Sequence, residues 1–471
     1  MPEHALPAAV AALFPSSAER ARLDGWLTGA LLDSQGRVRA GSVIPTIDMA
    51  RFAEELAAMD FDAPRPIEQL LEWTLERMEH GIVQMTNPRY FGLFNPGANF
   101  PSQCADRIVS VFNPQLASSA SSPVPVALES HVIRAVARRA GFGAAGTGHF
   151  ATGGSEANYT AFLCALTAAH PRFAHEGARA FTGPPTLYTS RECHIAWLKI
   201  AHQAGVGRDA LRLIATDGTG RMDPEALEQA IRADRAAGAV PILLVATAGT
   251  TGAGMIDPLE ACADIARREG VWYHVDAAWG GAAIASERMR GLLAGIERAD
   301  SVTIDAHKWL ATTMGCAMYI TARGPVLSEA FHASTSFMPS SFASIDPYLN
   351  SVQWSRRFLG LRLFLSLGAA GWAGLGAHVE RSVAVIAHVR ERLSALGWTV
   401  ANDSKLAVLD VLPPQVCDVR ALVRRVVESG RAWVAPTTFE GRDVVRICAT
   451  HGETSQRDVE ELVAALSDAA C

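Results

Sequence analysis

VWYHVDAAWGG, residues 271–281, is a short, mostly apolar run that ends on an aspartate followed by small residues. Similar runs, PILLVAT (241–247) and SVTI (301–304), lie on either side of it, and helical segments separate the three. Short apolar runs that alternate with helices are typical of a parallel sheet buried between layers of helices. The middle of the chain, from about residue 145 to 325, is therefore predicted to be an α/β domain.

The composition is that of a soluble globular protein. Of the 471 residues, 49% are hydrophobic and 19% are charged, with a formal net charge of −6. The acidic balance and the lack of a basic stripe argue against nucleic-acid binding. The cysteines form no CxxC pair and no zinc-ligand spacing, so we expect a reduced compartment and no metal site. Because no signal peptide or membrane-length apolar run is recognisable, we expect a cytoplasmic protein without a membrane partner.

The chain divides into three regions. Residues 1–95 look helical and irregular, with an amphipathic stretch at PIEQLLEWTLERMEHG (66–81). Residues 96–350 contain the α/β part. Residues 351–471 combine a long helix with further alternating runs, which predicts a smaller α+β domain.

Polar or glycine-rich segments follow five of the strand-like runs. Ligands of open α/β sheets bind in the crevice beyond the carboxyl ends of the strands, so we expect the five segments to share one crevice. They are GGSEAN (153–158), RECHIAW (191–197), AGTTGAG (248–254), DAAWGG (276–281) and DAHKW (305–309).

The first of these segments predicts an anion site. Gly154 and Ser155 lead into a helix whose free N–H groups and positive dipole end stabilise a phosphate, and glycine permits its close approach. Thr250 and Thr251 offer hydroxyl groups to the same anion. The alternatives are a plain helix cap at Ser155 and a plain turn at the threonine pair, and for each motif taken alone this alternative is the more common one.

Three more side chains add distinct chemistry. Asp276 forms an ion pair or a cap, or faces a cationic ring nitrogen, because a desolvated carboxylate needs a partner. His194 is a core histidine, a general base or a flat surface for stacking. Lys308, in a partly desolvated crevice, can become a nucleophilic amine suited to a Schiff base. Combined with the phosphate cradle, they predict a pocket for pyridoxal 5'-phosphate.

These motifs resemble the group II pyridoxal-phosphate-dependent amino-acid decarboxylases, a family that includes aromatic-amino-acid, glutamate and cysteine-sulfinate decarboxylases. The resemblance covers nearly the whole chain and implies fold type I, the aspartate-aminotransferase-like fold. That fold has a mostly parallel sheet in a large domain and a small α+β C-terminal domain. The resemblance also implies a homodimer with active sites at the subunit interface, in which residues 1–95 form a helical dimerisation segment. The matching stretches are NPRYFGLFNPGANFP (87–101), ATGGSEAN (151–158), LYTSRECHIAWLKIAHQAGVG (187–207), VATAGTTGAGMIDP (245–258), WYHVDAAWGG (272–281), IERADSVTIDAHKW (296–309), VQWSRRFLGLRLF (352–364) and VVRICATHGETSQRDVEEL (444–462).

The resemblance implies a role for each matching residue. Lys308 corresponds to the lysine that holds the cofactor as a Schiff base, Asp276 to the partner of the pyridine nitrogen, and His194 to the residue that stacks on the ring. Arg446 corresponds to an arginine that receives a substrate carboxylate. The other implied residues are Gly154, Ser155, Thr251, Ala278 and His307 around the cofactor, and Phe94 beside the substrate.

The implied reaction is decarboxylation of an L-amino acid through a quinonoid intermediate, which gives an amine and carbon dioxide. One position departs from the family pattern: Phe337 stands on the loop after Lys308, where many members carry a tyrosine implicated in protonating Cα. In this family that replacement is associated with oxidative deamination to an aldehyde, with oxygen consumed and peroxide formed. Tyr348 is an alternative donor if the loop folds differently. A transaminase and a catalytically silent cofactor-binding protein are further alternatives.

Two features indicate opposite substrate classes. Residues 93–96, which match the stretch that lines the side-chain pocket in relatives, include no arginine or lysine for a second carboxylate, which favours a neutral amino acid. The stretch HVDAAWGG (274–281) is more similar to members that act on acidic substrates.

Overall fold

The computed structural model describes residues 8–59, 61–333 and 346–470. Phe337 lies outside these ranges, so the expectation for it stays a prediction. The strands are β1 (Thr147–Ala151), β2 (Pro185–Ser190), β3 (Leu211–Ile214), β4 (Val240–Thr247), β5 (Trp272–Asp276), β6 (Ser301–Asp305), β7 (Ala317–Thr321), β8 (Thr399–Val400), β9 (Val408–Leu412), β10 (Ala435–Phe439) and β11 (Arg442–Cys448). The α-helices are α1 (Ala8–Ala11), α2 (Ser17–Ala40), α3 (Met49–Ala57), α4 (Ile67–Gly81), α5 (Phe100–Phe112), α6 (Pro123–Arg139), α7 (Gly154–Ala169), α8 (Phe173–Glu176), α9 (Ala196–Gln203), α10 (Pro224–Ala236), α11 (Leu259–Glu269), α12 (Gly324–Phe331), α13 (Leu361–Ala395), α14 (Val419–Glu428) and α15 (Gln456–Ala470).

A seven-stranded sheet with the strand order β1-β7-β6-β5-β4-β2-β3 forms the larger of two sheets. Strands β3, β2, β4, β5 and β6 are parallel, whereas β7 is antiparallel to both of its neighbours, β6 and β1. β1 therefore runs in the same direction as β6, and its carboxyl end reaches the same edge of the sheet. The mostly parallel sheet expected from the sequence is confirmed, and β3 and β7 are two strands that the five runs did not include.

Both faces of this sheet are covered by helices. Every residue of β5 and of β6 is buried. Along β4 the side chains alternate between two cores: Leu243 belongs to a cluster with Phe162 of α7, and Leu244 to a cluster with Ile265 of α11. Since neither face meets water, these strands are continuously apolar, which explains the pattern seen in the sequence.

A smaller antiparallel sheet with the order β10-β11-β9-β8 follows the long helix α13. Gly371, with φ of 62° and ψ of −179°, interrupts the helical backbone of α13. α14 and α15 pack on each other, α14 also contacts β10 and β11, and α15 contacts α13. The small α+β unit is thus confirmed, while the domain boundaries placed at residues 95 and 350 stay predictions.

The described part of residues 1–95 is mostly helical, as expected. The amphipathic stretch forms α4, which pairs with α2 through an ion pair in which Arg37 Nε donates to Glu79 Oε2 over 2.8 Å. Within the described ranges, no helix is both long enough and apolar enough to cross a membrane.

Candidate active site

The segments that follow β1, β2, β4, β5 and β6 meet in one cavity of about 190 Å³ at the carboxyl edge of the large sheet. Of the residues expected to contact the cofactor, all except Thr250 line this cavity, and so do His194 and Phe94. Arg446 lies behind Phe94, and Phe337 is outside the described residues. The lining consists of Phe94, Gly154, Ser155, Asn158, His194, Thr247, Gly249, Thr251, Asp276, Ala278, Trp279, Asp305, His307 and Lys308.

Lys308 is held inside the cavity by a carboxylate. Its Nζ lies 3.0 Å from Oδ2 of Asp305, the residue that ends β6. Asp305 is buried, and among the described residues its oxygens accept no hydrogen bond of good geometry. A buried carboxylate needs a counter-charge, so the ion pair fixes the lysine at the cavity wall. Lys308 is therefore not a solvated surface charge.

The start of α7 supports an anion site. The residue before the helix is Gly153, and no side chain caps the first turn. Ser155 is inside the helix, so the alternative of a plain serine cap is wrong, and Glu156 instead accepts from the N–H and hydroxyl groups of Thr152 at 2.9 and 2.6 Å. Uncapped N–H groups at a helix start are ready donors for a phosphate.

The two threonines after β4 have different environments. Thr250 is fully buried, and its hydroxyl oxygen accepts from the N–H group of Met255 at 3.0 Å, which holds the turn. Thr251 lines the cavity. Thr250 therefore stabilises the turn, and Thr251 is the threonine that can donate to a ligand.

The carboxylate of Asp276 has its partners arranged on one side. Oδ2 accepts from Nδ2 of Asn158 at 2.7 Å and from Nε1 of Trp197 at 3.3 Å. Among the described residues, Oδ1 accepts only the N–H group of Ala278, at 3.2 Å, and so keeps a lone pair free. Asp276 is buried and lines the cavity, so that lone pair is available to a cationic N–H group inside it.

Two histidines line the cavity, and burial lowers the pKa of both. His194 accepts the N–H group of Ala196 on Nδ1 at 3.2 Å, and His307 accepts that of Cys316 on Nδ1 at 3.2 Å. A neutral ring that accepts on Nδ1 carries its proton on Nε2. His307 Nε2 lies 3.7 Å from Asp305. Because burial lowers the pKa of each ring, both favour the neutral form, with Nε2 as the donor.

An aromatic pair and an arginine lie together at one side of the cavity. Phe94 stacks on Trp279, with ring centroids 4.5 Å apart, and the guanidinium carbon of Arg446 lies 4.7 Å from the Phe94 centroid. Nη1 of Arg446 donates to the carbonyl oxygen of Gly92 at 2.9 Å, whereas Nε and Nη2 are buried and have no partner among the described residues. Two free donors on one planar guanidinium match the geometry of a carboxylate.

Asp410 stands opposite Arg446 in the register of β9 and β11. Its carboxylate is buried without a hydrogen bond in the described part of the chain, and burial raises its pKa to about 8, against the opposing influence of Arg446. The sequence analysis did not single out this residue.

Sequence reasoning also missed Asn158, Trp197, Trp279 and Asp305 as parts of the site. Asn158 lies one helical turn after Gly154, so the spacing along α7 would have placed it on the same side of the helix. Trp279 follows Asp276 by three residues, within a motif in which Asp276 and Ala278 were expected at the site.

The sequence profile described as the pyridoxal-dependent decarboxylase conserved domain matches residues 53–405. The chain belongs to this family. The expected family is therefore confirmed, as is the expected enzyme class, since its members are pyridoxal-dependent decarboxylases.

Two curated members show the degree of similarity. Cysteine sulfinic acid decarboxylase of Mus musculus is 36% identical over 332 residues, which cover 69% of this chain and 66% of that protein. Acidic amino acid decarboxylase GADL1 of Bos taurus is 34% identical over 339 residues, 70% of this chain and 64% of the relative. The matched stretches thus span just under two thirds of these relatives. The crystal structure of mouse CSAD in apo form has a TM-score of 0.90 at 28% identity and covers 97% of this chain and 99% of that one.

Pyridoxal 5'-phosphate, the expected cofactor, is the cofactor of this family, and the cavity fits it. Lys308 presents an amine, the uncapped start of α7 presents free N–H groups, and Asp276 keeps one lone pair open. These three features correspond to the aldehyde, the phosphate and the ring nitrogen of the cofactor.

Proposed function

We propose that this chain decarboxylates an L-amino acid to an amine and carbon dioxide, with the cofactor held by Lys308. The observation that carries the proposal is that Lys308, Asp276 and the uncapped start of α7 line one cavity. Each of the three has a common structural explanation by itself. Their convergence on one cavity is what a single aldehyde-bearing, phosphorylated pyridine requires.

Bound pyridoxal phosphate supplies a cationic ring that accepts the electrons of the bond between Cα and the carboxylate. The residues of the chain bind and orient the reactants. Asp276 would hold the proton on the ring nitrogen, and the ring of His194 would lie against the pyridine. Arg446 would receive a substrate carboxylate on its two free N–H groups.

Lys308 would hold the aldehyde carbon until the substrate amine takes its place, and would then be a free amine next to Asp305. In that position it is a source of the proton that Cα needs after carbon dioxide has left. Tyr348, the alternative donor, packs against Trp354 with ring centroids 4.7 Å apart and is not part of the cavity lining in its own chain.

The relatives and the cavity lining indicate different substrate classes. The named relatives act on cysteine sulfinate and acidic amino acids, which favours an acidic substrate. Among the described residues, however, Lys308 is the one lysine or arginine in the cavity lining, and Arg446 is the next cation behind it. Turnover of aspartate, glutamate and cysteine sulfinate, measured beside that of neutral amino acids, decides between the two classes.

The central experiment uses a convenient feature of the sequence: it contains only three lysines, Lys199, Lys308 and Lys405. Borohydride reduction of the protein with its cofactor, followed by peptide mapping, is expected to label Lys308 alone. Lys308→Ala is expected to abolish both the label and carbon dioxide release, whereas Lys199→Arg and Lys405→Arg keep both. Label on another lysine, or unchanged turnover by Lys308→Ala, would overturn the proposal.

We further propose a homodimer. The apolar side chains of Phe100, Val111 and Phe112 on α5 are 73, 79 and 78% exposed, and Val124 at the start of α6 is 64% exposed. Apolar patches of this kind on a folded chain mark interaction surfaces. Active sites at that interface remain part of this proposal.

A second outcome of the same chemistry rests on Phe337. A phenyl ring cannot donate a proton, so the carbanion would persist and react with oxygen. The balanced reaction consumes one amino acid, one O2 and one water, and yields an aldehyde, carbon dioxide, ammonia and hydrogen peroxide. Aldehyde and peroxide in place of the amine would establish this outcome. If Phe337→Tyr left the ratio of aldehyde to amine unchanged, Phe337 would not be the cause of aldehyde formation.

A further inference from the structure

A row of buried polar groups leads from the interior of the large sheet to Asp276. Trp272 Nε1 lies 2.9 Å from Ser301 Oγ, and Ser301 Oγ lies 2.9 Å from His274 Nδ1. His274 Nε2 lies 3.0 Å from Asn158 Oδ1, and Asn158 Nδ2 lies 2.7 Å from Asp276 Oδ2. The row thus connects β5, β6 and α7 to the carboxylate.

The direction of every hydrogen bond in this row follows from its two ends. An indole N–H only donates, so Ser301 accepts from Trp272, and its own proton is available to His274 Nδ1. An ionised carboxylate only accepts, so Asn158 donates to it through Nδ2 and presents Oδ1 to His274. His274 therefore donates from Nε2, and its neutral ring then accepts on Nδ1, which is one defined tautomer.

The surroundings agree with a neutral ring. His274 is fully buried, and burial lowers its pKa to about 4, although Asp276 and Ser301 act in the opposite direction. Thr303, whose hydroxyl oxygen lies 3.4 Å from His274 Nε2, is the other polar neighbour of the ring. The histidine is therefore neutral over the range in which enzymes work, and the row keeps its direction.

The row determines how Asp276 meets the cofactor. Because Oδ2 is occupied by Asn158 and Trp197, the carboxylate cannot rotate without breaking buried hydrogen bonds, and breaking them is costly. Oδ1 is then the oxygen left for a ring N–H group. A carboxylate without this support would have more than one orientation.

We propose that His274 and Asn158 are positioning residues, which fix the carboxylate of Asp276 so that its free lone pair faces the ring nitrogen of the cofactor. They touch Asp276 or each other and act on the cofactor through it. The property that depends on them is the preference of the apoprotein for a cofactor that carries a protonated ring nitrogen.

The test compares two cofactors on the full-length apoprotein. Affinities for pyridoxal phosphate and for its deaza analogue, in which a C–H group replaces the ring nitrogen, are measured by equilibrium titration. The ratio of the two affinities isolates the contact with Asp276, since all other contacts are shared. We expect His274→Phe to reduce this ratio by about tenfold or more, as for loss of one hydrogen bond to a charged group. His274→Gln, whose amide can still donate to Asn158, is expected to keep most of the ratio.

The matched control is His149→Phe. His149 is an equally buried histidine on β1 of the same sheet, and neither of its ring nitrogens has a hydrogen-bond partner among the described residues. We expect this variant to keep the wild-type ratio. If thermal unfolding shows that His274→Phe does not fold, Asn158→Leu is used in its place. We expect the same reduction in the ratio of the two affinities.

The outcomes are distinct. An unchanged ratio in His274→Phe or its replacement, or an equal loss in His149→Phe, would overturn the positioning role while leaving the proposed decarboxylation intact. A wild-type apoprotein that binds neither cofactor would overturn both.

Discussion

At the scale of single residues, Arg446 and Asp410 form an unusual pair. They are opposite each other on β11 and β9, both are buried, and both keep polar atoms without a partner among the described residues. A buried guanidinium with unpaired donors is costly, so a ligand that supplies a partner gains affinity. The two free N–H groups of Arg446 have the geometry for a carboxylate.

Arg446→Lys is expected to raise KM by about tenfold or more and to change kcat much less, because a lysine cannot offer two parallel donors. Steady-state kinetics on the preferred substrate of the panel measure the effect. Arg442→Lys at the exposed start of the same strand is the control and should leave both constants unchanged. A normal KM in Arg446→Lys would show that the carboxylate binds elsewhere.

Asp410→Asn tests the buried acid through stability. Because the pKa of Asp410 is raised to about 8, the folded state holds a proton that the unfolded state releases near pH 4, so wild-type stability falls as pH rises through this window. Asp410→Asn cannot ionise and lacks this loss. We expect its free energy of unfolding, relative to wild type, to improve by at least about 1 kcal/mol between about pH 5 and pH 9.

Urea denaturation across that range measures the difference between the two proteins. Glu329→Gln, an exposed carboxylate on α12, should track the wild type at every pH. A constant difference between Asp410→Asn and the wild type would contradict the raised pKa.

At the scale of elements, the site depends on how α7 begins. A Cβ atom added to Gly154 would lie 2.8 Å from Oδ2 of Asp305 and 3.3 Å from Cβ of Ala278. The glycine therefore allows the helix start, β6 and the turn after β5 to approach closely at the point where the phosphate is expected.

Gly154→Ala is expected to weaken cofactor binding by about tenfold or more, because one of these elements must move and a phosphate contact is lost. Titration of the apoprotein with pyridoxal phosphate measures this loss. Gly368→Ala, within α13 where an added Cβ meets open space, should bind as the wild type does. Equal affinities in the two variants would argue against α7 as the phosphate site.

The sequence predicted the elements that carry the site better than the contacts between them. A polar or glycine-rich segment follows each of the five runs, so their shared edge followed from the parallel-sheet rule alone. Helical spacing places Asn158 on the same side of α7 as Gly154, but its partners come from β5 and thus depend on tertiary packing. Asp410 could not be predicted as a partner of Arg446 either, because the pairing of β9 with β11 that brings the two together is not visible in the sequence.

At the scale of the whole molecule, the exposed apolar residues of α5 predict self-association. Val111→Asp with Phe112→Asp is expected to convert a dimer to a monomer, because a charge pair buried at a two-fold interface is repelled by its copy. Sedimentation velocity measures the mass. Val416→Asp, on a fully exposed loop of the small α+β unit, is the control and should remain dimeric. A monomeric wild type would contradict the proposed homodimer.

The two sheets contribute unequally to the cavity. All of its lining residues lie between Phe94 and Lys308, whereas Arg446 on β11 lies behind Phe94 and donates to the carbonyl oxygen of Gly92. Gentle warming that loosens the C-terminal unit would therefore abolish carboxylate recognition while the yellow colour of the bound cofactor persists.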